Sequence, residues 1–153
     1  MNQEPVLAFV ALGSNLGDRG GYLAMAHERL RRLPGTILQS ASSIEETDPL
    51  GGLEQPRYLN QMVVLQTSLS PRELLTAFHG IEAEVGRGPH RRWESRTLDL
   101  DLVLYGDKTI DEPGLQVPHP GLPSRDFWRR ELDELRVKLS DIGYRLSGVP
   151  NNR

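Results

Sequence analysis

The 153-residue sequence has no cysteine. That excludes a disulfide scaffold, thiolate metal sites and a cysteine nucleophile, and it fits a reducing compartment. Long hydrophobic runs are lacking as well: none approaches the roughly 20 residues that a membrane-crossing helix requires. The opening Met1-Asn-Gln-Glu-Pro5 is acidic where a secretory signal would be basic. A cytoplasmic protein with no membrane partner is the expectation. Charge of one sign is not in excess either, since 18 Lys and Arg against 21 Asp and Glu leave a net charge of −3. No whole-molecule field therefore draws the chain onto nucleic acid, and any anion site must be local. What is present, 37% hydrophobic and 25% charged residues without repeats or low-complexity stretches, fits one domain over residues 1–153. A monomer is expected.

Val6 to Leu12 is a short apolar run that reads as a buried strand. A polar loop with Gly13, Gly17, Gly20 and Gly21 follows it. Leu23, Ala26, Leu30 and Leu33 then recur at helical spacing until Pro34-Gly35. Thr36 to Ile44 reads as a second strand, Glu45 to Gly52 as loop, and Tyr58 to Thr67 as a strand able to pair with the second across that loop. Ser70-Pro71-Arg72-Glu73 carries the N-cap, N1 proline and N3 glutamate of a capping box. It predicts a helix through Leu74, Phe78, Ile81 and Val85 that stops at Gly86.

From Leu98 the residues alternate, with Leu98, Leu100, Leu102 and Leu104 on one side and Asp99, Asp101, Val103 and Tyr105 on the other. Gly106-Asp107-Lys108 is expected to be a hairpin turn and Pro113 to Pro123 a loop. A last helix is expected from Ser124 through Trp128, Leu132, Leu135 and Leu139. The order β-α-β-β-α-β with a C-terminal helix is that of a ferredoxin-like α+β plait, an antiparallel sheet with helices on one face. Fold alone names no function.

Asp99 and Asp101 carry the sharpest chemical signal. On one strand face their Cα atoms lie roughly 6.6 Å apart, so the carboxylates can converge on Mg²⁺. A solvated strand face is the plainer reading, although aspartate is depleted in strands and two on one face repel. Directly before them stand Arg87, Arg91, Arg92 and Arg96, with His90 and Trp93. Guanidinium forks beside a carboxylate pair suggest a nucleotide site, the arginines holding phosphates and the acids the bridging metal. Two alternatives stay open: arginines that merely neutralise the aspartates, and a non-catalytic nucleotide- or RNA-binding module in which Trp93 stacks on a base. Gly13 to Gly17 could receive an anion on its backbone N–H groups, but the order of a P-loop is missing. Asn60, near Thr47 and Tyr58, could pair with the edge of a flat amide-like ring, and His119 and Arg125 could reach a phosphate.

Taken together, Ala11-Leu-Gly-Ser-Asn-Leu16, Pro49-Leu-Gly51 with Gln55-Pro56 and Tyr58-Leu-Asn60, Arg96-Thr-Leu-Asp-Leu-Asp101, and Val117-Pro-His119 with Arg125 resemble the 6-hydroxymethyl-7,8-dihydropterin pyrophosphokinase family. The likeness runs from about Val6 to Phe127. It implies transfer of the β,γ-diphosphate of ATP, a co-substrate, to the pterin hydroxymethyl group with release of AMP, on a ferredoxin-like fold using two Mg²⁺ ions. It implies metal ligation by Asp99 and Asp101, and catalysis by these two with Arg87 and Arg96. The ATP side implied is Glu82, Arg87, Arg92, Arg96, Leu98, Gln116, His119 and Arg125. The pterin pocket implied is Gly13, Thr47, Leu50, Tyr58, Asn60, Trp93 and Phe127, with the ring sandwiched between Trp93 and Phe127.

The chain departs from the family's pattern at Pro89-His90, Asp48, Glu94-Ser95 and Pro120. It departs again after Phe127, where a usually apolar continuation is replaced by Trp128-Arg129-Arg130-Glu131. The segments Gly13–Gly21, Asp48–Pro56 and Gly86–Arg96 are expected to close over ligand and exclude water.

Overall fold

The apolar run that begins at Val6 lies at the middle of the sheet. In the computed structural model, which describes residues 4–48, 56–86 and 98–143, β1 (Val6–Ser14) pairs antiparallel with β4 (Tyr58–Thr67) on one side and with β5 (Asp99–Tyr105) on the other. With both flanks paired and both faces covered, its residues 8–14 are all buried, which is why the run is continuously apolar. β2 (Thr36–Ala41) pairs with the outer side of β4, giving the order β2-β4-β1-β5.

The alternation of side chains along β1 divides the interior in two. Ala8, Val10 and Leu12 face α1 (Arg19–Arg31) and α2 (Pro71–Val85), whereas Phe9 and Ala11 face α3 (Asp126–Asp141). α2 follows its capping box: Glu73 N–H donates to Ser70 Oγ at 3.1 Å and Ser70 N–H to Glu73 Oε1 at 2.8 Å. α3 buries Trp128, Leu132, Leu135 and Leu139 as their spacing requires. The molecule is thus a mixed α and β fold with an antiparallel sheet. Among the described residues no helix is long and apolar enough to cross a membrane.

Several sequence expectations are corrected. Gly13 and Ser14 continue β1 in full ladder register, and Gly20 and Gly21 lie within α1, so Gly13–Gly21 is not one loop. An Asp18 side chain accepting from Gly21 N–H at 3.1 Å starts the helix earlier than the apolar spacing indicates. Glu45–Thr47, expected as loop, forms β3 against Tyr58–Asn60. Its acidic side chains are tolerated because Arg19 and Arg57 pair with Glu46 and Arg130 with Glu45.

The strict alternation expected along β5 breaks at Val103. Phe9 faces Leu104 while Val10 faces Leu102, so Val103 is an extra residue and the phase switches there. Tyr105 consequently joins Leu98, Leu100 and Leu102 under α2, and Leu104 joins Val103 on the α3 side. The proline-rich stretch is not simply a loop either. β6 (Ile110–Glu112) and β7 (Leu115–Val117) form a hairpin through Pro113-Gly114, where Gly114 has φ +73°, followed by a 3-10 turn at Leu122–Ser124. The Val117–Pro118 peptide is cis.

Candidate active site

α3 leaves one end of its sheet face open, and the strand residues pointing there build a floor. Gly13 lies between Asn60 on β4 and Asp99 on β5 in the ladder, so three strands contribute neighbouring positions. A Cβ on Gly13 would stand 3.4 Å from Asn60 Oδ1 and 3.5 Å from the Tyr58 ring, so glycine keeps the floor low here. The cavity above it, about 270 Å³, is lined by Gly13, Thr47, Tyr58, Asn60, Asp99 and Asp101 from the sheet side and by Arg125, Phe127 and Trp128 from the start of α3. Asn60 Nδ2 donates to Thr47 Oγ1, which ties β3 to β4 and fixes the amide orientation. On the rim, the hydrogen bond from Arg19 holds the Glu46 carboxyl below its usual range, with Arg57 adding to the effect. Arg57 Nε also pairs with Asp48 at 3.1 Å.

The start of α3 is stiffened by stacking. The Arg125 guanidinium lies 4.3 Å from the centroid of the Trp128 ring, and Phe127 meets Trp128 edge-on at 6.3 Å. His119 also meets Trp128 edge-on, at 4.9 Å. Gly121 N–H donates to His119 Nδ1 at 2.9 Å, so the proton of the neutral ring sits on Nε2, 3.6 Å from Asp101 Oδ1. His119 N–H in turn donates to the carbonyl of the bulged Val103 at 3.0 Å, fixing the loop to β5.

A second cavity of about 730 Å³ opens beyond the β5 edge, between α2 and the β6–β7 hairpin. Glu82, Gln116 and His119 line it. Asp99 and Asp101 are the two described residues common to both cavities. The Asp101 side chain is 39% exposed, which leaves its carboxylate available to a ligand. Among the described residues no group of three or more His, Asp or Glu comes together as a metal cage. A cation on the aspartate pair would complete its shell with water or substrate oxygens, the usual habit of Mg²⁺. The hard, half-exposed oxygen donors fit such an ion.

The residues expected from the sequence divide into four groups. Gly13, Thr47, Tyr58, Asn60 and Phe127 meet at one cavity with Asp99 and Asp101. Arg125, expected on the ATP side, lines that same cavity. Glu82, Gln116 and His119 meet at the other. Glu82 Oε2 accepts from the Leu100 N–H at 2.8 Å, satisfying a donor on a strand that, among the described residues, pairs only with β1. Gln116 Nε2 donates to Asp111 Oδ1 at 3.2 Å. Leu98 puts its side chain into the core, 2% exposed, so any ligand contact there falls to its backbone. Leu50, Arg87, Arg92, Trp93 and Arg96 lie outside the described residues. Asp48 and Trp128 line the first cavity without having been singled out for it. Trp128 carries the helical spacing of a core residue, and it is one, with an edge turned to the cavity.

A model of the 7,8-dihydro-6-hydroxymethylpterin-pyrophosphokinase family matches residues 9–137. The chain is 44% identical over 131 residues to the 2-amino-4-hydroxy-6-hydroxymethyldihydropteridine pyrophosphokinase of Pseudomonas aeruginosa, covering 86% of this chain and 81% of the relative. To the proteins of the same name from Bacillus subtilis and Haemophilus influenzae it is 43% and 41% identical, over 84% and 88% of this chain and 77% and 84% of theirs.

Proposed function

The chain belongs to the 7,8-dihydro-6-hydroxymethylpterin-pyrophosphokinase family, and from that premise we propose how its two cavities divide the reaction. The enzyme transfers the diphosphate of ATP to the hydroxymethyl group of the dihydropterin in folate biosynthesis. The hydroxymethyl oxygen bonds to the β-phosphorus and releases its proton to solvent, the bond from that phosphorus to the oxygen bridging the α-phosphate breaks with its electron pair staying on that oxygen, and AMP leaves. The nucleophile is a neutral hydroxyl and the electrophile is highly anionic. Alignment and charge neutralisation therefore matter more than a strong base.

In this reading the smaller cavity takes the pterin. Asn60 and Thr47 meet the polar edge of the ring, Tyr58 and Phe127 supply aromatic cover, and Gly13 lets the ring lie close to the strand. Leu50 and Trp93 complete that pocket by their place in the family's motifs. The larger cavity takes the nucleotide. Glu82, Gln116 and His119 line it, Leu98 offers it only backbone, Arg125 reaches the phosphates from the smaller cavity, and Arg87, Arg92 and Arg96 bring positive charge to them. Arg87 and Arg96 neutralise the charge that moves during transfer. Asp99 and Asp101 hold Mg²⁺, two ions in this reading, which when bound would neutralise and orient the polyphosphate. We read the connection order as the ferredoxin-like plait, supported by the strand order β2-β4-β1-β5 with α1 and α2 together on one face.

One observation carries the proposal: the aspartate pair borders both cavities, at the boundary where a phosphorus must pass from one substrate to the other. The test is AMP formation from ATP, which should require both Mg²⁺ and the hydroxymethyl dihydropterin. Asp99→Ala and Asp101→Ala should each lower the rate by at least about a hundredfold, the scale of losing one charge-stabilising group, with little loss of fold stability. Normal turnover by either variant would refute the assignment.

A further inference from the structure

β3 and α3 form opposite walls of the smaller cavity, Thr47 on one and Phe127 and Trp128 on the other. Between these walls, away from the cavity, lies a pair of carboxyl groups. Glu131, one turn after Phe127, is 1% exposed, and neither of its carboxyl oxygens has a hydrogen-bond partner among the described residues. Glu45 Oε2 is likewise buried and without a partner, while Glu45 Oε1 accepts from Arg130 Nε and Nη2, each at 3.1 Å. The two side chains are within hydrogen-bonding reach of one another. Two buried carboxylates cannot satisfy each other, because both only accept, but a carboxylic acid and a carboxylate can.

We propose that Glu131 is a positioning residue for the pterin site: it carries a proton, donates it to Glu45 Oε2, and so clasps α3 to β3 and sets the distance between the walls. This rests on the cavity being the pterin site. One proton on Glu131 gives the buried Glu45 oxygen a donor and relieves the repulsion between the two groups. Burial and the neighbouring Glu45 push the Glu131 carboxyl up to about 9, so the proton is retained at neutral pH.

The charged groups facing it are Glu45 on β3 and, along α3, Arg130, which favours ionisation, and Glu134, which opposes it. β1, β2 and β4, the other strands of this part of the sheet, contain no Asp, Glu, Lys or Arg. The same seam carries further ties. Ser43 N–H and Oγ donate to Glu134 Oε2 at 2.8 and 3.0 Å, and Lys138 Nζ donates to the Ala41 carbonyl at 2.7 Å. Loss of the clasp should therefore loosen the wall rather than release the helix.

The experiment measures kcat and the KM for hydroxymethyl dihydropterin from pH 7 to 10 in the wild type and in Glu131→Gln, whose amide donates at every pH. Taking the ratio of wild type to variant at each pH cancels any ionisation of the substrate. The KM ratio should be near one at pH 7 and about ten at pH 10, because only the protonated fraction binds well. The kcat ratio should stay flat. Glu45→Gln, with its amide donating to Glu131 in either ionisation state, should also remove the alkaline rise, and it serves if Glu131→Gln fails to fold. Parallel KM profiles in wild type and variants would overturn the proposal. So would a Glu131 carboxyl carbon signal that titrates near the ordinary glutamate range. Absence of any turnover in the wild type would instead overturn the enzymatic reading on which the clasp's role rests.

Discussion

Replacing Glu131 by Gln should make the protein more stable as pH rises, and the size of the effect follows from linkage. The folded-state value is raised from 4.5 to about 9, so the folded protein binds one more proton than the unfolded chain between those limits. A group raised in this way contributes stability that is full below the unfolded value and is lost as pH climbs toward the folded one. Each pH unit in that window costs about 1.4 kcal/mol. Glutamine has no such proton, so the stability difference between variant and wild type should grow by about 3 kcal/mol between pH 6 and pH 8. That is a large share of the 5–15 kcal/mol typical of a domain. Urea unfolding followed by Trp fluorescence at half-unit pH steps reads it directly, and subtracting the two curves removes every other titrating group. A difference that stays constant from pH 6 to pH 8 would mean that Glu131 is ionised in the folded protein.

Two further substitutions separate stability from substrate handling. Ser70→Ala removes the acceptor for the Glu73 N–H at the start of α2 and should lower unfolding free energy by about 1 kcal/mol, with kcat per folded molecule unchanged; a change in the KM for either substrate would show that α2 does more than support β5. Gly13→Val pushes a branched side chain into the floor beside Asn60 and Tyr58. It should raise the pterin KM about tenfold or more while the fold keeps its stability, since valine suits a central strand better than glycine. Pterin affinity unchanged in isothermal titration would place the ring elsewhere.

Much of this could be read from residues alone wherever the local signal and the tertiary environment agree. The capping box at Ser70–Glu73 and the apolar spacing behind it give α2 its limits, and Tyr58–Thr67 appears as a strand with the bounds expected. The aspartate pair shares a strand face as its spacing requires. β3 was hidden because Glu45 and Glu46 are poor strand residues until Arg130, Arg19 and Arg57 reach them from elsewhere in the chain. The β6–β7 hairpin was masked by prolines, although Pro113-Gly114 is a turn signal. The bulge at Val103 has no mark in an unbroken alternation, because a valine suits either phase. Glu131 sits in a run of charges that looks solvated, and only the packing of α3 on the sheet reveals it as an interior acid.

The extra residue at Val103 makes β5 a strand with two allegiances. Its leading half offers carboxylates to whatever occupies the cavities, and its trailing half turns Tyr105 inward, where the hydroxyl donates to the Leu69 carbonyl at 2.6 Å. The offset works like a detent on a ratchet. Were Val103 paired in step instead of set aside, one uninterrupted pleat would put Tyr105 on the same side as Asp99 and Asp101, and either the tyrosine would leave the α2 core or the acids would leave the ligands. Val103, which lines neither cavity, thus lets the paired acids and the inward tyrosine keep separate sides of one strand.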